Sequence, residues 1–360
     1  MTEADLAGLR WQVLGLGFAL AFGLGWIAQR THFCVMGAIS DAALTGDLSR
    51  ARMWMLAVAV AVLGFALLSH FGWLQAHQTL YGSNRLLWAS HAVGGLLFGV
   101  GMVLASGCGA KTLVRLGSGS LKALLVLLVM GLTGFMTLRG LTAVWRSETV
   151  DKAVLNLAGP QDLPSLLAMP GWLVSIAVAA LLLAFALRGT RHAAFWLGGL
   201  GTGALVVAAW ALTGHFAFVP EHPNTLEAAF IATSFNRPEA FSFVAPAAGL
   251  LDWLLFFSDT SKQLSFGVIS VFGVVLGATA SSLARGEFRW EGFRQTEDLV
   301  NHLIGAALMG IGGVMALGCT VGQGVSGLST LSLGSFISVL GIVGGGLLGV
   351  RLQMWRAERA

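Results

Sequence analysis

HAVGGLLFGVGMVLASGC, residues 91–108, and HLIGAALMGIGGVMALGC, residues 302–319, are two copies of one segment. They match without a gap at His91/His302, Gly94/Gly305, Leu97/Leu308, Gly99/Gly310, Gly101/Gly312, Val103/Val314, Ala105/Ala316, Gly107/Gly318 and Cys108/Cys319. Such self-similarity is an internal repeat. After a short insertion in the second copy, LGSGSLKALL from Leu116 realigns with LSLGSFISVL from Leu331. Each copy therefore reads as a helix, a Gly-Cys corner, a short polar turn and a second helix.

Composition decides the solvent. With 56% hydrophobic and 11% charged residues in 360, and a mean hydropathy of +0.79, the chain falls far below the charge content of about 25% usual in soluble domains. Apolar runs close to the length of about 20 residues that crosses a bilayer as a helix lie at 11–28, 53–71, 88–106, 121–138, 172–187, 195–212, 264–283, 299–317 and 333–349. The fold class is all-α: a polytopic membrane protein of nine transmembrane helices. A barrel is excluded because its strands alternate apolar and polar residues over about ten positions, whereas these runs are continuously apolar.

The net charge of +4 is spread over successive loops, with no basic cluster interleaved with aromatics, so no nucleic-acid partner is expected. The basic residues report topology instead. Of the 21, seven fall on the N-terminal side of nine spans (Arg10, Arg85, Arg139, Arg146, Lys152, Arg237 and Lys262) and fourteen on the other, among them Arg191 and Arg294. Cytoplasmic loops carry the excess of Lys and Arg, which places the N-terminus outside and the C-terminus in the cytoplasm. Glu3, Asp5 and Arg10 do not make a basic signal-peptide region, so the first span is expected to stay.

RTHFCVMGAISDAALTGDLSR (residues 30–50) is too polar and Gly-rich to cross, yet 33–39 is too apolar for a surface loop. It reads as a re-entrant segment around Cys34, tolerated at membrane depth only where protein or a watery cavity satisfies its backbone. The proline-broken stretch 213–263 corresponds to it in order. Residues 1–139 (spans one to four, with re-entrant segments at Cys34 and Cys108) and 191–360 (spans six to nine, with re-entrant segments at 213–263 and Cys319) then form two inverted repeat halves. A hydrophilic linker and connector span five at 140–190 joins them. In transporters built this way the site lies between the repeats.

The many glycines suit close helix approach in a membrane. GCGAKT at Gly107 lacks the GK[ST] order and the preceding strand of a phosphate-binding loop. His91 and His302 read as interfacial hydrogen-bonding residues rather than metal ligands. Cys34, Cys108 and Cys319 each stand where an apolar run gives way to a polar, Gly-containing turn. No CxxC and no local ligand spacing suggests a dithiol motif or zinc, so no metal and no cofactor is expected. In apolar surroundings the neutral thiol is favoured, and it offers a weak S–H donor without repelling an anion. Re-entrant corners aim free helix N–H groups at the same place. Gly107, Gly109, Gly318 and Thr320 line those corners, and Lys111 adds a full charge. An anion with a soft, polarizable sulfur fits this set.

RTHFCVMGAISDA around Cys34, GMVLASGCGAKTLVRLGSGS around Cys108 and GGVMALGCTVGQGVSGLSTLSLGS around Cys319 resemble the three cysteine motifs of the YeeE/YedE family of bacterial inner-membrane proteins. The resemblance covers nearly the whole chain. It implies an hourglass shape and uptake of thiosulfate passed between three cysteines by S–H contacts, with no lasting covalent bond. It also implies a small cytoplasmic sulfur carrier of the TusA-like type as partner, besides the lipid bilayer. ARGEFRWEGF from Ala284 looks like a further family motif with no assigned role. Another sulfur or selenium compound as substrate, a membrane thiol or quinone redox enzyme, and a metal-ion transporter stay open as alternatives.

Overall fold

The computed structural model describes residues 3–189, 192–259, 261–293 and 295–359. The expected boundary at 190/191 and Arg294 lie outside them. The protein is a polytopic all-α membrane protein. Its helices are α1 (Glu3–Thr31), α2 (Val35–Leu44), α3 (Ser49–His70), α4 (Trp88–Leu104), α5 (Gly109–Gly117), α6 (Leu121–Arg139), α7 (Leu141–Glu148), α8 (Leu163–Leu167), α9 (Gly171–Ala186), α10 (Ala193–Ala211), α11 (Val244–Leu255), α12 (Phe266–Ala284), α13 (Thr296–Met315) and α14 (Leu333–Ala357). Eight segments, built on α1, α3, α4, α6, α10, α12, α13 and α14, are long and apolar enough to cross a membrane. The apolar α9, 16 residues long, falls on the fifth apolar run of the sequence.

Helix is forced here because hydrocarbon offers no partner for free backbone groups. What holds the helices together is close approach at glycine. At the centre α4 crosses α13, where a methyl added to Gly101 would lie 2.6 Å from the Gly305 carbonyl and one added to Gly305 2.6 Å from the Gly101 carbonyl. Gly94 and Gly312 meet in the same reciprocal way one level away. The packing partners come in matched sets: α4 packs on α14 as α13 packs on α6, α1 on α12 as α10 on α3, and α2 on α14 as α11 on α6.

Three helices inside this frame are too short to cross. α2, α5 and α11 have 10, 9 and 12 residues, roughly 14 to 18 Å at 1.5 Å per residue, or about half of the hydrocarbon thickness. A fourth short element, the π-helical turn Gly322–Gly327, follows α13 and is wholly buried. Distant side chains also reach carbonyls of this turn: Tyr81 Oη donates to Gly322 O at 2.8 Å and Trp54 Nε1 to Gly324 O at 2.9 Å.

The polar connections act as clamps. Gln161, in the hydrophilic stretch after α6, accepts through its backbone carbonyl from Leu333 N (2.8 Å) and through Oε1 from Gly334 N (3.2 Å), which caps α14. The ARGEFRWEGF segment pairs with the α5–α6 turn: Arg289 N and Glu291 N donate to Ser118 O and Gly119 O, and Leu121 N donates to Glu291 O. Glu291 also meets Arg115 (3.5 Å) and Lys122 (3.4 Å). Burial disfavours its charged form, but the two cations outweigh this and hold the carboxyl below its ordinary range. These contacts tie the motif to the end of α5.

Candidate functional site

Each cysteine opens a short element. Cys34 is the N-cap of α2, Cys108 is the N-cap of α5, and Cys319 immediately precedes the turn that leads into Gly322–Gly327. Two residues before each stands a non-glycine in the left-handed region: His32 (φ 52°), Ser106 (φ 55°) and Leu317 (φ 56°). That conformation costs an L-residue roughly 1–2 kcal/mol. At the two repeat corners it closes matching helix ends: Gly107 N donates to Met102 O and Ser106 N to Val103 O, and Gly318 N donates to Gly313 O and Leu317 N to Val314 O. This is the Schellman pattern, which reverses the chain and delivers the next residue, the cysteine, to the start of a new helix.

A helix start presents unpaired N–H groups. Cys34 Sγ accepts one from Gly37 at 3.3 Å and Cys319 Sγ one from Gly322 at 3.4 Å. A sulfur whose lone pair is engaged by an amide keeps its S–H free to donate. All three thiols are unoxidised and buried, at 8%, 2% and 0% exposure for Cys34, Cys108 and Cys319.

The corners come together although they lie far apart in sequence. The side chains of Cys34 and Cys108 interact directly, and Cys108 lies beside the Thr320 hydroxyl, next in chain to Cys319. Thr320 Oγ1 and Gln323 Oε1 are buried without a hydrogen-bond partner of full geometry, while Gln323 Nε2 donates to Ala316 O at 2.5 Å. Buried polar atoms are normally paired, since an unmade hydrogen bond there costs about 1–3 kcal/mol. The Thr320 hydroxyl thus stands beside Cys108, and the Gln323 Oε1 acceptor in the turn after Cys319 is left unpaired.

The other expected site residues fall at the same corners. Gly107 and Gly318 allow the reversal; a methyl on Gly107 would press on Lys111 Cγ (3.3 Å) and one on Gly318 on Gln323 Cγ (3.1 Å). Gly109 starts α5 with ordinary contacts to Met130 and Phe243. Lys111 is half-buried in the first turn of α5, close enough to Cys34 and His32 to act on both electrostatically. His91 and His302 hydrogen-bond within the fold: His91 Nδ1 pairs with Ser338 Oγ at 2.7 Å and His302 Nδ1 with Asp298 O at 2.7 Å.

On the face that carries the N-terminus, a cavity of about 1170 Å³ reaches down to Leu317 and Gly318, the floor formed by the Cys319 corner. Arg10, Arg237, Glu239 and Ser242 line it, as do Lys262 and Arg139. The last two are committed to Asp252 at 2.7 and 3.8 Å. Glu239, half-buried in the loop between α10 and α11, is pushed up to about 7 by burial against the opposing pull of Ser234 and Gly267. Near neutral pH its charge is therefore partly suppressed, and the cationic lining dominates.

The family model described as Sulphur transport matches residues 30–348. The thiosulfate transporter TsuA of Spirochaeta thermophila is 27% identical over 339 residues, covering 89% of this chain and 93% of that protein. TsuA of Escherichia coli is 23% identical over 355 residues, covering 92% and 91%. The probable transporter YedE of Escherichia coli is 30% identical over 118 residues, covering 32% of this chain and 27% of that protein. With its three cysteine corners inside a match that spans most of its length, the chain belongs to the sulphur transport (YeeE/YedE) family, a family of transporters rather than enzymes.

Proposed function

We propose that the protein takes up thiosulfate across a bacterial inner membrane, handing it inward past Cys319, Cys108 and Cys34 by neutral S–H contacts. The observation that carries this reading is the approach of three buried free thiols at the short-element starts, Cys34 against Cys108 and Cys108 beside Thr320 of the Cys319 corner, with unpaired Thr320 and Gln323 atoms at that corner. The cationic cavity above Cys319 gathers a dianion, and the half-length helices direct their N-termini to the lane. Two large relatives named thiosulfate transporters support the choice among sulfur anions. A cavity on one side of a buried lane is consistent with an hourglass. The emerging sulfur compound would pass to a small cytoplasmic carrier of the TusA-like type. The test is growth with thiosulfate, sulfate or cystine as sole sulfur source, in a strain lacking its own sulfur uptake. Rescue on thiosulfate alone supports the reading, and rescue on sulfate alone contradicts it.

The matched packing sets of α1 to α6 and α10 to α14 support two inverted halves, 1–139 and 191–360, with 140–190 as linker and connector and α2, α5, α11 and the π-helical turn as re-entrant elements. Together with the seven-to-fourteen split of basic residues, this supports a reading with the N-terminus outside. A reporter fused after Ala360 is expected to behave as cytoplasmic and one inserted near Asp151 as periplasmic. The reverse pattern would invert the direction of transport through the lane.

Lys111, within electrostatic range of Cys34, would supply charge where a dianion must be held without water. Lys111→Gln is expected to reduce uptake at low substrate more than at saturation. Unchanged concentration dependence would leave Lys111 as an interfacial lysine.

A further inference from the structure

Cys34 stands on the segment that follows the first span, and the segment in the same place after α10 contains no cysteine. The two share a dipeptide pattern: Phe33–Cys34 leads into α2, and Phe241–Ser242 leads into α11, with both phenylalanines buried. Packing fixes the register independently. Gly346 of α14 faces Ile39 of α2, 3.2 Å from an added methyl, and Gly131 of α6, its repeat partner, faces the Ala247 carbonyl of α11 at 3.1 Å. Cys34 lies five residues before Ile39, and Ser242 lies five before Ala247.

Ser242 also occupies the matching place in space. Cys34 touches Cys108 at the inner corner. At the outer corner Ser242 abuts Gly322, whose Cβ, if added, would fall 2.6 Å from the serine Oγ, and it is the Gly322 N–H that Cys319 Sγ accepts. Ser326 Oγ donates to Phe241 O at 2.9 Å and ties this segment to the π-helical turn. Ser242 is half-buried, lines the cavity with Gly318, and its hydroxyl makes no hydrogen bond among the described residues. Arg237 and Arg10, whose Nη2 donates to Leu264 O at 2.7 Å, line the same cavity.

We propose that Ser242 and Cys319 form an outer binding subsite in which the serine hydroxyl donates to an oxygen of the entering anion while the thiol meets its sulfur. The inference rests on the reading that the anion passes Cys319. It adds a fourth group, chemically harder than the other three, at the point where a thiosulfate ion first leaves water. A hydroxyl suits an oxyanion end and a thiol a sulfur end, so the pair recognises an anion carrying both.

Uptake of radiolabelled thiosulfate by the full-length protein, with Ser242→Ala, Ser242→Cys and Cys319→Ala compared, tests this. Ser242→Ala is expected to raise the half-saturating concentration about five- to tenfold, the effect of one lost hydrogen bond to an anion, with a smaller change in maximal rate. Ser242→Cys restores a donor and recovers part of that loss. The introduced thiol is expected to react with a membrane-impermeant thiosulfonate reagent added outside, beyond the wild-type background, and thiosulfate is expected to slow the reaction. Wild-type half-saturation in Ser242→Ala, or labelling of Ser242→Cys at the same rate with and without thiosulfate, overturns the subsite. If these results accompany a dead Cys319→Ala, the relay stands without Ser242. If Cys319→Ala itself transports at wild-type rate, the relay fails, and the subsite with it.

Discussion

Growth on thiosulfate is expected to fail, or nearly fail, when any one of Cys34, Cys108 and Cys319 is replaced by alanine. The three thiols are buried, with Cys34 against Cys108 and Cys108 beside Thr320, the residue after Cys319. On the proposed path a desolvated anion has no water to substitute for a missing donor. One lost contact costs about 1 to 3 kcal/mol, or about 5- to 150-fold in rate at 1.4 kcal/mol per decade. Folding is affected less, because alanine removes only one buried sulfur, although at Cys34 and Cys319 it also frees the Gly37 or Gly322 amide. Membrane-inserted protein at normal levels with no uptake is the expected pattern, checked by immunoblot beside the growth assay. Serine, which keeps a donor, is expected to do better than alanine at each position.

The second large effect concerns assembly. Gly101→Leu or Gly305→Leu is expected to abolish accumulation of folded protein. Each glycine faces the other's carbonyl, and a Cβ at either would lie 2.6 Å from it, with further backbone atoms at 2.6 to 2.9 Å. Backbone on a central helix cannot swing aside as a side chain can, so α4 and α13 must separate. Close packing is what stabilises helices against one another in lipid, and overpacking of this kind costs at least about 1–3 kcal/mol. Detergent-solubilised protein judged by size-exclusion profile and thermal melting distinguishes this from the cysteine variants, which are expected to stay monodisperse. A Gly8→Leu control should behave as wild type, because nothing lies within 4 Å of a methyl there.

Much of the membrane architecture is legible in the chain because hydrocarbon imposes one rule, continuous apolar length, and that rule is written in consecutive residues. The nine apolar runs correspond to α1, α3, α4, α6, α9, α10, α12, α13 and α14. The ends are less legible: α1 runs from Glu3 to Thr31, past the apolar limits 11–28, because a helix projecting from the membrane keeps its backbone bonds in water. The cysteine corners are legible through the repeat and through Gly107 and Gly318. Gln323 is not, since a glutamine within TVGQGVSG reads as part of a polar turn; the insertion that distinguishes the second copy is the one signal that pointed to it. The turn that carries it is bonded by Tyr81 and Trp54, which reach it across 241 and 270 residues of sequence. The ARGEFRWEGF motif is opaque for the same reason, because its backbone pairs with Ser118 and Gly119 in a turn distant along the chain. Ser242 escapes notice because serine is common in loops, and only the α11 register sets it opposite Cys34 in the scheme of halves.

The most direct test of the relay is thiosulfate uptake into proteoliposomes by purified wild-type protein and by the triple variant Cys34→Ala, Cys108→Ala, Cys319→Ala at equal incorporation. Saturable uptake by the wild type, with none above empty vesicles for the triple variant, is the expected result. A correctly folded triple variant that transports at the wild-type rate would contradict it and reduce the three cysteines to packing residues.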